Sequence, residues 1–319
     1  TTRPVEALLR NGNPYVRARG VWLLSRLGAP GLKKVEGLLK DSDAQVRVAA
    51  FRALRRDCEC RVQPAGMGSV TGNADLVKFA TRMAVDTSAA VRREVALAMH
   101  GLSWAESQQV LLAVARGYDG KDRTYLEALG TGAWKKESEL FDALRALQPE
   151  GGVDALKWTP AFASIAWRLH PAQSVEGFRA RALAKELSDT ERKHAVTAVA
   201  FSGVPAAAAA MVDIAAGSDK LVKAESVWWL LNRKDSLWKD QGLDVALKSR
   251  GIYDPDSVEL SEAVVPAAEP AKFAVADVLK LRGDAKRGAE KFNGTCVSCH
   301  RLGETGTEYA PNLTGWAQR

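Results

Sequence analysis

The run Cys296-Val297-Ser298-Cys299-His300 brings two thiols and an imidazole together within five residues. This C-x-x-C-H spacing is the attachment signature of c-type haem. Thiols three positions apart can leave one turn toward the same side and meet the two vinyl groups of a single porphyrin. The imidazole after them is then held beneath the iron as its proximal ligand. Cys296 and Cys299 are therefore the expected attachment points of one covalent haem c, and His300 the expected metal ligand. Other chemistries fit less well. A structural zinc site needs a second ligand pair, and the only other cysteines, Cys58 and Cys60, lie more than 200 residues upstream at a different spacing. A thioredoxin-like redox motif needs a βαβ context, and no strand pattern surrounds this one. The expected function is electron transfer.

The flanks predict how the motif is positioned. Residues 283–292 read as a short helix with Asp284 near its N-terminus, where the helix dipole favours a carboxylate. Phe292 precedes the cysteine turn, and Tyr309-Ala310-Pro311-Asn312-Leu313 comes after it. This order resembles class I cytochromes c, which begin G-D-x-x-x-G-x-x-x-F, continue with C-x-x-C-H and then carry a Gly-Pro-x-Leu loop. Ala310 stands where that family usually has Gly. The resemblance implies that the Pro311 carbonyl accepts a hydrogen bond from the Nδ1–H of His300, which makes Pro311 part of the cofactor site. The family's sixth iron ligand is a Met after the motif. Here Met67, Met83, Met99 and Met211 all precede it, the chain stops 19 residues after His300, and position 1 is Thr. The expectation is a fragment carrying the first part of a cytochrome domain, with the sixth ligand unassigned.

The rest of the chain must supply the scaffold. Of 319 residues, 46% are hydrophobic, enough for a sizeable core, and the abundance of Ala favours helix. No apolar run reaches the roughly 18–20 residues of a membrane span; the nearest, Val204 to Val212, ends at Asp213. Residues 1–250 carry 37 Lys and Arg against 28 Asp and Glu, a net +9, whereas residues 251–319 carry 8 against 10, a net −2. No dense basic run or basic–aromatic alternation appears, so a solvated helical surface is expected and nucleic acid is not.

Three segments repeat, opening at Asn13, Asp43 and Ser88 as N-caps of amphipathic helices. Val16, Val46 and Val91 align, and Arg17, Arg47 and Arg92 form a column expected to pair with acids of the neighbouring repeat. An Asn or Asp stands five residues before each Val, at Asn11, Asp41 and Asp86. This helix–turn–helix unit resembles HEAT and related α-solenoid repeats. The spacing is 30 and then 45 residues, with the extra length assigned to a loop insertion at 57–73 that contains Cys58 and Cys60. Those thiols are open to three readings: a metal, a bond to another chain, or a local bridge. Later, degenerate helices are expected near 105–116, 122–130, 136–147, 160–169, 174–187, 189–202, 205–216, 219–232 and 240–249. The tryptophans among them are read as filling space between helices. Trp228 and Trp229 are adjacent, so one of them must face away from the core. Lys121, Asp122 and Arg123 read as a charged loop capping the next helix, and His100, His170 and His194 as isolated residues. His194 and His170 remain the first candidates in the solenoid to face a haem.

The fold expected is therefore all-α: a HEAT-like α-solenoid over residues 1–250, a Pro-rich linker over 251–275, and a truncated class I cytochrome c-type domain over 276–319. With Tyr118 to Gly130, Ala166 to Leu169, Trp228 to Arg233 and Trp238, nearly the whole chain resembles the large haem-binding proteins of the Planctomycetes–Verrucomicrobia group. In that family a HEAT-like region leads into a C-terminal c-type haem domain, often behind a dehydrogenase-like β-propeller. The resemblance implies an extracytoplasmic, periplasmic location and a partner that is a redox protein or an upstream dehydrogenase domain. Any dehydrogenase activity or membrane association would belong to residues outside this chain, which itself shows no nucleophile or acid–base pair. The alternative is an interaction scaffold whose haem is structural or sensory.

Overall fold

The structure, a computed structural model, describes residues 2–61, 71–148, 152–217, 219–257, 274–307 and 309–316. The protein is all-α: 68% is helical, and the strands found are two residues long each. The chain divides into two units, Thr1–Val258 and Glu259–Arg319.

In the first unit the helices are α1 (Arg3–Leu8), α2 (Pro14–Ser25), α3 (Gly28–Gly37), α4 (Ala44–Arg61), α5 (Thr71–Met83), α6 (Ala89–Ala98), α7 (Trp104–Arg116) and α8 (Arg123–Gly132). They continue as α9 (Glu137–Arg145), α10 (Pro160–Leu169), α11 (Val175–Leu183), α12 (Asp189–Ala200), α13 (Pro205–Ala216), α14 (Lys220–Arg233) and α15 (Leu243–Ser249). Short 3₁₀ turns join several of them. The even-numbered helices from α2 to α14 each pack on the next even one. On the other side α5, α7 and α9 pack in sequence, as do α11, α13 and α15. Val21, Leu24, Phe51, Leu54, Val91, Val95, Met99, Leu126 and Leu129 fill the space between the rows. Their period of three and four residues is the stripe each helix must bury. Close approach requires glycine at one crossing: a Cβ on Gly132 of α8 would lie 2.1 Å from the Ala96 carbonyl of α6.

Both ends of the loop expected at 57–73 are helical instead. Helix α4 runs on to Arg61 and carries both Cys58 and Cys60, while α5 already starts at Thr71; residues 62–70 lie outside the described set. The reason is local, since Arg55–Glu59 forms an i,i+4 pair and no Gly or Pro intervenes before Pro64. Beyond helix α15, Ile252 and Tyr253 pack against the first unit's core. The remaining linker, residues 258–273, lies outside the described residues.

The column of arginines is a ladder. Arg17, Arg47 and Arg92 each sit four residues after an N-cap, and each donates to the carbonyl six residues earlier, Asn11, Asp41 and Asp86. Each also reaches forward. Arg17 meets Asp43 at 2.9 Å, Arg47 grips both oxygens of Asp86 at 2.8 Å, and Arg92 donates to the Gly117 carbonyl and the Tyr125 hydroxyl. Asn11, Asp41 and Asp86 in turn accept the N–H of the N-cap two residues on. Ser88, expected to cap α6 with its side chain, makes no such bond. Each rung therefore fastens a helix start to the next repeat.

The second unit contains α16 (Val275–Leu279), α17 (Ala285–Lys291) and an antiparallel hairpin of β1 (Arg301–Leu302) and β2 (Thr305–Gly306).

Candidate cofactor-attachment site

Helix α17 begins as the sequence suggests, with the Asp284 carboxylate accepting the Arg287 N–H at 3.0 Å. The helix then widens into one π turn, Phe292–Cys296, in which Val297 N donates to Phe292 O at 2.9 Å. Such a turn inserts an extra residue and re-aims the side chains beyond it. The next turn closes on a single carbonyl: Cys296 O accepts from Cys299 N at 3.1 Å and from His300 N at 2.8 Å.

The polypeptide after the motif folds back onto it. Thr307 N donates to Val297 O, Thr307 Oγ1 to Ser298 O, Ala310 N to Cys299 O, and Leu313 N to Arg301 O, at 2.7–3.2 Å. Five carbonyls between Cys296 and Arg301 thus have donors. The motif is positioned by backbone hydrogen bonds rather than by side-chain packing. Gly306 is needed here. Its φ of 101° belongs to the left-handed region, and a Cβ would lie 2.1 Å from the His300 carbonyl.

The imidazole is oriented by the same return loop. His300 Nδ1 lies 2.8 Å from the Pro311 carbonyl. A carbonyl can only accept, so this contact requires the proton on Nδ1 and leaves the Nε2 lone pair available. Ala310, directly before Pro311, does not prevent it. The two thiols are outside any disulfide, Cys296 half-buried and Cys299 exposed. Among the described residues no three His, Cys, Asp or Glu side chains gather as a metal cage. The site therefore offers two nucleophilic sulfurs and one oriented nitrogen donor.

None of the described residues 274–316 is buried. Val275, Val278, Leu279, Leu281, Leu302, Tyr309 and Trp316 are all exposed. A hydrogen-bonded unit of this size without a buried side chain has apolar surface to cover and little core of its own to cover it.

In the first unit the structure brings together residues that looked isolated in the sequence. His170 and His194 both touch Trp167, at ring-centroid distances of 5.8 and 5.4 Å, and His170 stacks on Phe201 at 5.7 Å. Burial pushes the His170 pKa from 6.5 down to about 4, with Arg168 acting in the same direction. His194 is lowered for the same reason. His100 stacks on Trp134, which is exposed rather than space-filling. Asp122 caps α8, as expected of the charged loop. Cys58 is buried and Cys60 exposed, and they form no disulfide with one another.

One rung of the arginine ladder escaped the sequence. Arg192 stands four residues after the N-cap Ser188 and pairs with Asp219, the N-cap of α14. Glu191 occupies the position where the other repeats have Val, which hid the motif. The N-cap-plus-four spacing alone would have found it.

No family model matches the chain, and no curated protein does. Among solved structures it is similar to a crystal structure of an engineered protein, at 16% identity and a TM-score of 0.24, over 78% of this chain and 96% of that one. At that TM-score nothing is carried over. Among the described residues no helix is long and apolar enough to cross a membrane.

Proposed function

We propose that this chain is an extracytoplasmic electron-transfer protein whose single covalent c-type haem is held by Cys296, Cys299 and His300. The observation that carries the reading is the 2.8 Å contact between His300 Nδ1 and the Pro311 carbonyl. It commits one ring nitrogen to the protein and points the chemistry to the other. A carbonyl in this place fixes the tautomer and makes the imidazole a better donor to iron. The two thiols are available to form thioether bonds by addition across vinyl groups, each thiol proton going to the neighbouring vinyl carbon. The exposed apolar side chains of the second unit fit a flat apolar macrocycle, which would supply the missing core. When bound, the haem supplies a one-electron iron couple.

The same reading takes residues 276–319 as class I cytochrome c-type and the first unit as a HEAT-like α-solenoid. Sequential packing of the even helices, and the arginine rungs that tie each helix start to the next repeat, support the solenoid. The partner is a redox protein or a dehydrogenase module. Protein-film voltammetry on protein matured with haem tests the reading. A reversible one-electron couple, lost in Cys296→Ala/Cys299→Ala, is expected; the absence of such a couple contradicts it. A second reading, an interaction scaffold with a structural or sensory haem, is favoured by the exposed Phe201, Trp228 and Leu237 of the first unit.

A further inference from the structure

The C-terminal ends of five successive even helices carry His100, Trp134, His170, Phe201 and Arg233. The ladder arginines, Arg17, Arg47, Arg92 and Arg192, lie at the opposite, N-terminal ends of the same row. The C-terminal series ends in a cluster of different character. The Arg233 guanidinium lies 5.1 Å from the centre of the Phe201 ring and 4.9 Å from that of Trp229. Phe201 and Trp229 meet edge to face at 5.5 Å, and Trp228 meets Trp229 at 4.7 Å. Leu237 packs beside Gly203, two residues after Phe201 in the chain.

Two properties separate Arg233 from the acid-paired ladder arginines Arg17, Arg47 and Arg192; Arg92 has no acid partner either, but its guanidinium is bonded through all three nitrogens. Among the described residues Arg233 makes no ion pair, and its Nε is cut off from water without a hydrogen-bond partner. Its neighbour Lys234, by contrast, is paired with Asp235 and Asp244. A guanidinium clamped by two rings has already lost most of its rotamer freedom, so accepting a carboxylate costs it little further entropy. Around it stand three exposed apolar side chains: Trp228 at 55%, Phe201 at 42% and Leu237 at 42%. Trp and Arg flanked by apolar groups make the composition of a protein-interface hot spot. The rings cross at 67° and 80°, so they form a ridged cluster rather than the flat platform a sugar would need.

We infer that Phe201, Trp228, Trp229, Arg233 and Leu237 form a docking site for a partner protein that presents a carboxylate beside apolar side chains. Charge complementarity favours an acidic partner, because residues 1–250 carry a net +9. The carboxylate accepts from Arg233, and the apolar neighbours cover Trp228 and Leu237. This inference stands independently of the haem reading.

The test is selection from a random-sequence peptide phage library on the immobilised full chain, then affinity measurement with the synthetic peptides selected. Peptides rich in Glu or Asp next to Leu, Phe or Trp are expected. Their affinity should weaken by about tenfold or more in Arg233→Gln. Trp228→Ser, at an exposed position that leaves the fold intact, should weaken it similarly, and Arg233→Lys should restore only part of the binding. Affinity should fall as salt rises. Binding should be unchanged in Cys296→Ala/Cys299→Ala, which separates this outcome from any failure of haem attachment. Failure to select any peptide, a neutral or basic consensus, or full affinity in both Arg233→Gln and Trp228→Ser would overturn the inference. So would self-association that Trp228→Ser abolishes, which would make a second copy the occupant.

Discussion

Arg47 holds Asp86 through two 2.8 Å hydrogen bonds across 39 residues of sequence, and both side chains are largely shielded from water. Breaking this rung leaves a half-buried charge without its partner. Arg47→Gln should therefore cost about 2–3 kcal/mol. The corresponding change at Arg17, whose pair with Asp43 is more exposed, should cost under about 1 kcal/mol. Urea denaturation of the two variants checks the ranking.

A second expectation concerns acid. Asp43 is held below its ordinary 3.8 by the Gln45 N–H and by Arg17. For Asp86 burial is the largest influence and opposes ionisation, but the Arg47 bonds, the Ser88 N–H and the charges of Arg47 and Arg92 together outweigh it, and its pKa is also lowered. A group depressed on folding contributes stability above its unfolded pKa and loses it as pH falls through the folded value, so these rungs weaken below about pH 4. His170 acts earlier. Its folded pKa is about 4 against an ordinary 6.5, so the unfolded chain takes up the proton first. Stability should decline from pH 6.5 toward 4, by on the order of 2 kcal/mol for this residue, allowing for water that reaches part of the ring. Denaturation midpoints between pH 7.5 and 3 should fall in two stages. His170→Asn, which suits the left-handed backbone at φ 50°, should shrink the first.

Much of the fold was written in local signals. Pro160 and Pro205 begin α10 and α13 as the sequence suggests, and Asn13, Asp122 and Asp284 cap the helices they precede. The features that stayed hidden required the third dimension. Cys58 and Cys60 looked like loop residues because the segment beyond them is rich in Gly, yet the Arg55–Glu59 pair carries the helix past them. Arg192 was masked by Glu191. Trp167 and His170 are an i,i+3 pair, but the arrival of His194 on the same ring joins residues on different helices, which no spacing rule links. In the site, the residue types of Cys296, Cys299 and His300 were legible, whereas the requirement for Gly306 against the His300 carbonyl was not.

That requirement gives a third prediction. Gly306→Ala adds a methyl group where the His300 carbonyl sits and forces a non-glycine residue into a left-handed backbone, a strain of about 1–3 kcal/mol. The hairpin should open and the Pro311 contact should loosen. Haem incorporation during maturation should fall, while the urea midpoint of the helical first unit stays as it was. Absorbance at the Soret band relative to total protein measures the first, and far-ultraviolet circular dichroism the second.

Covalent attachment tests the central claim most directly. Expressed in a periplasm with cytochrome c maturation machinery, the protein should carry one haem that survives a denaturing gel. Its pyridine haemochrome should show the α-band position of thioether-linked haem. Cys296→Ala/Cys299→Ala should lose both signals, and His300→Ala should alter the iron spectrum. Unmutated protein that emerges from the same cells without haem, or with haem that denaturation removes, would contradict the account.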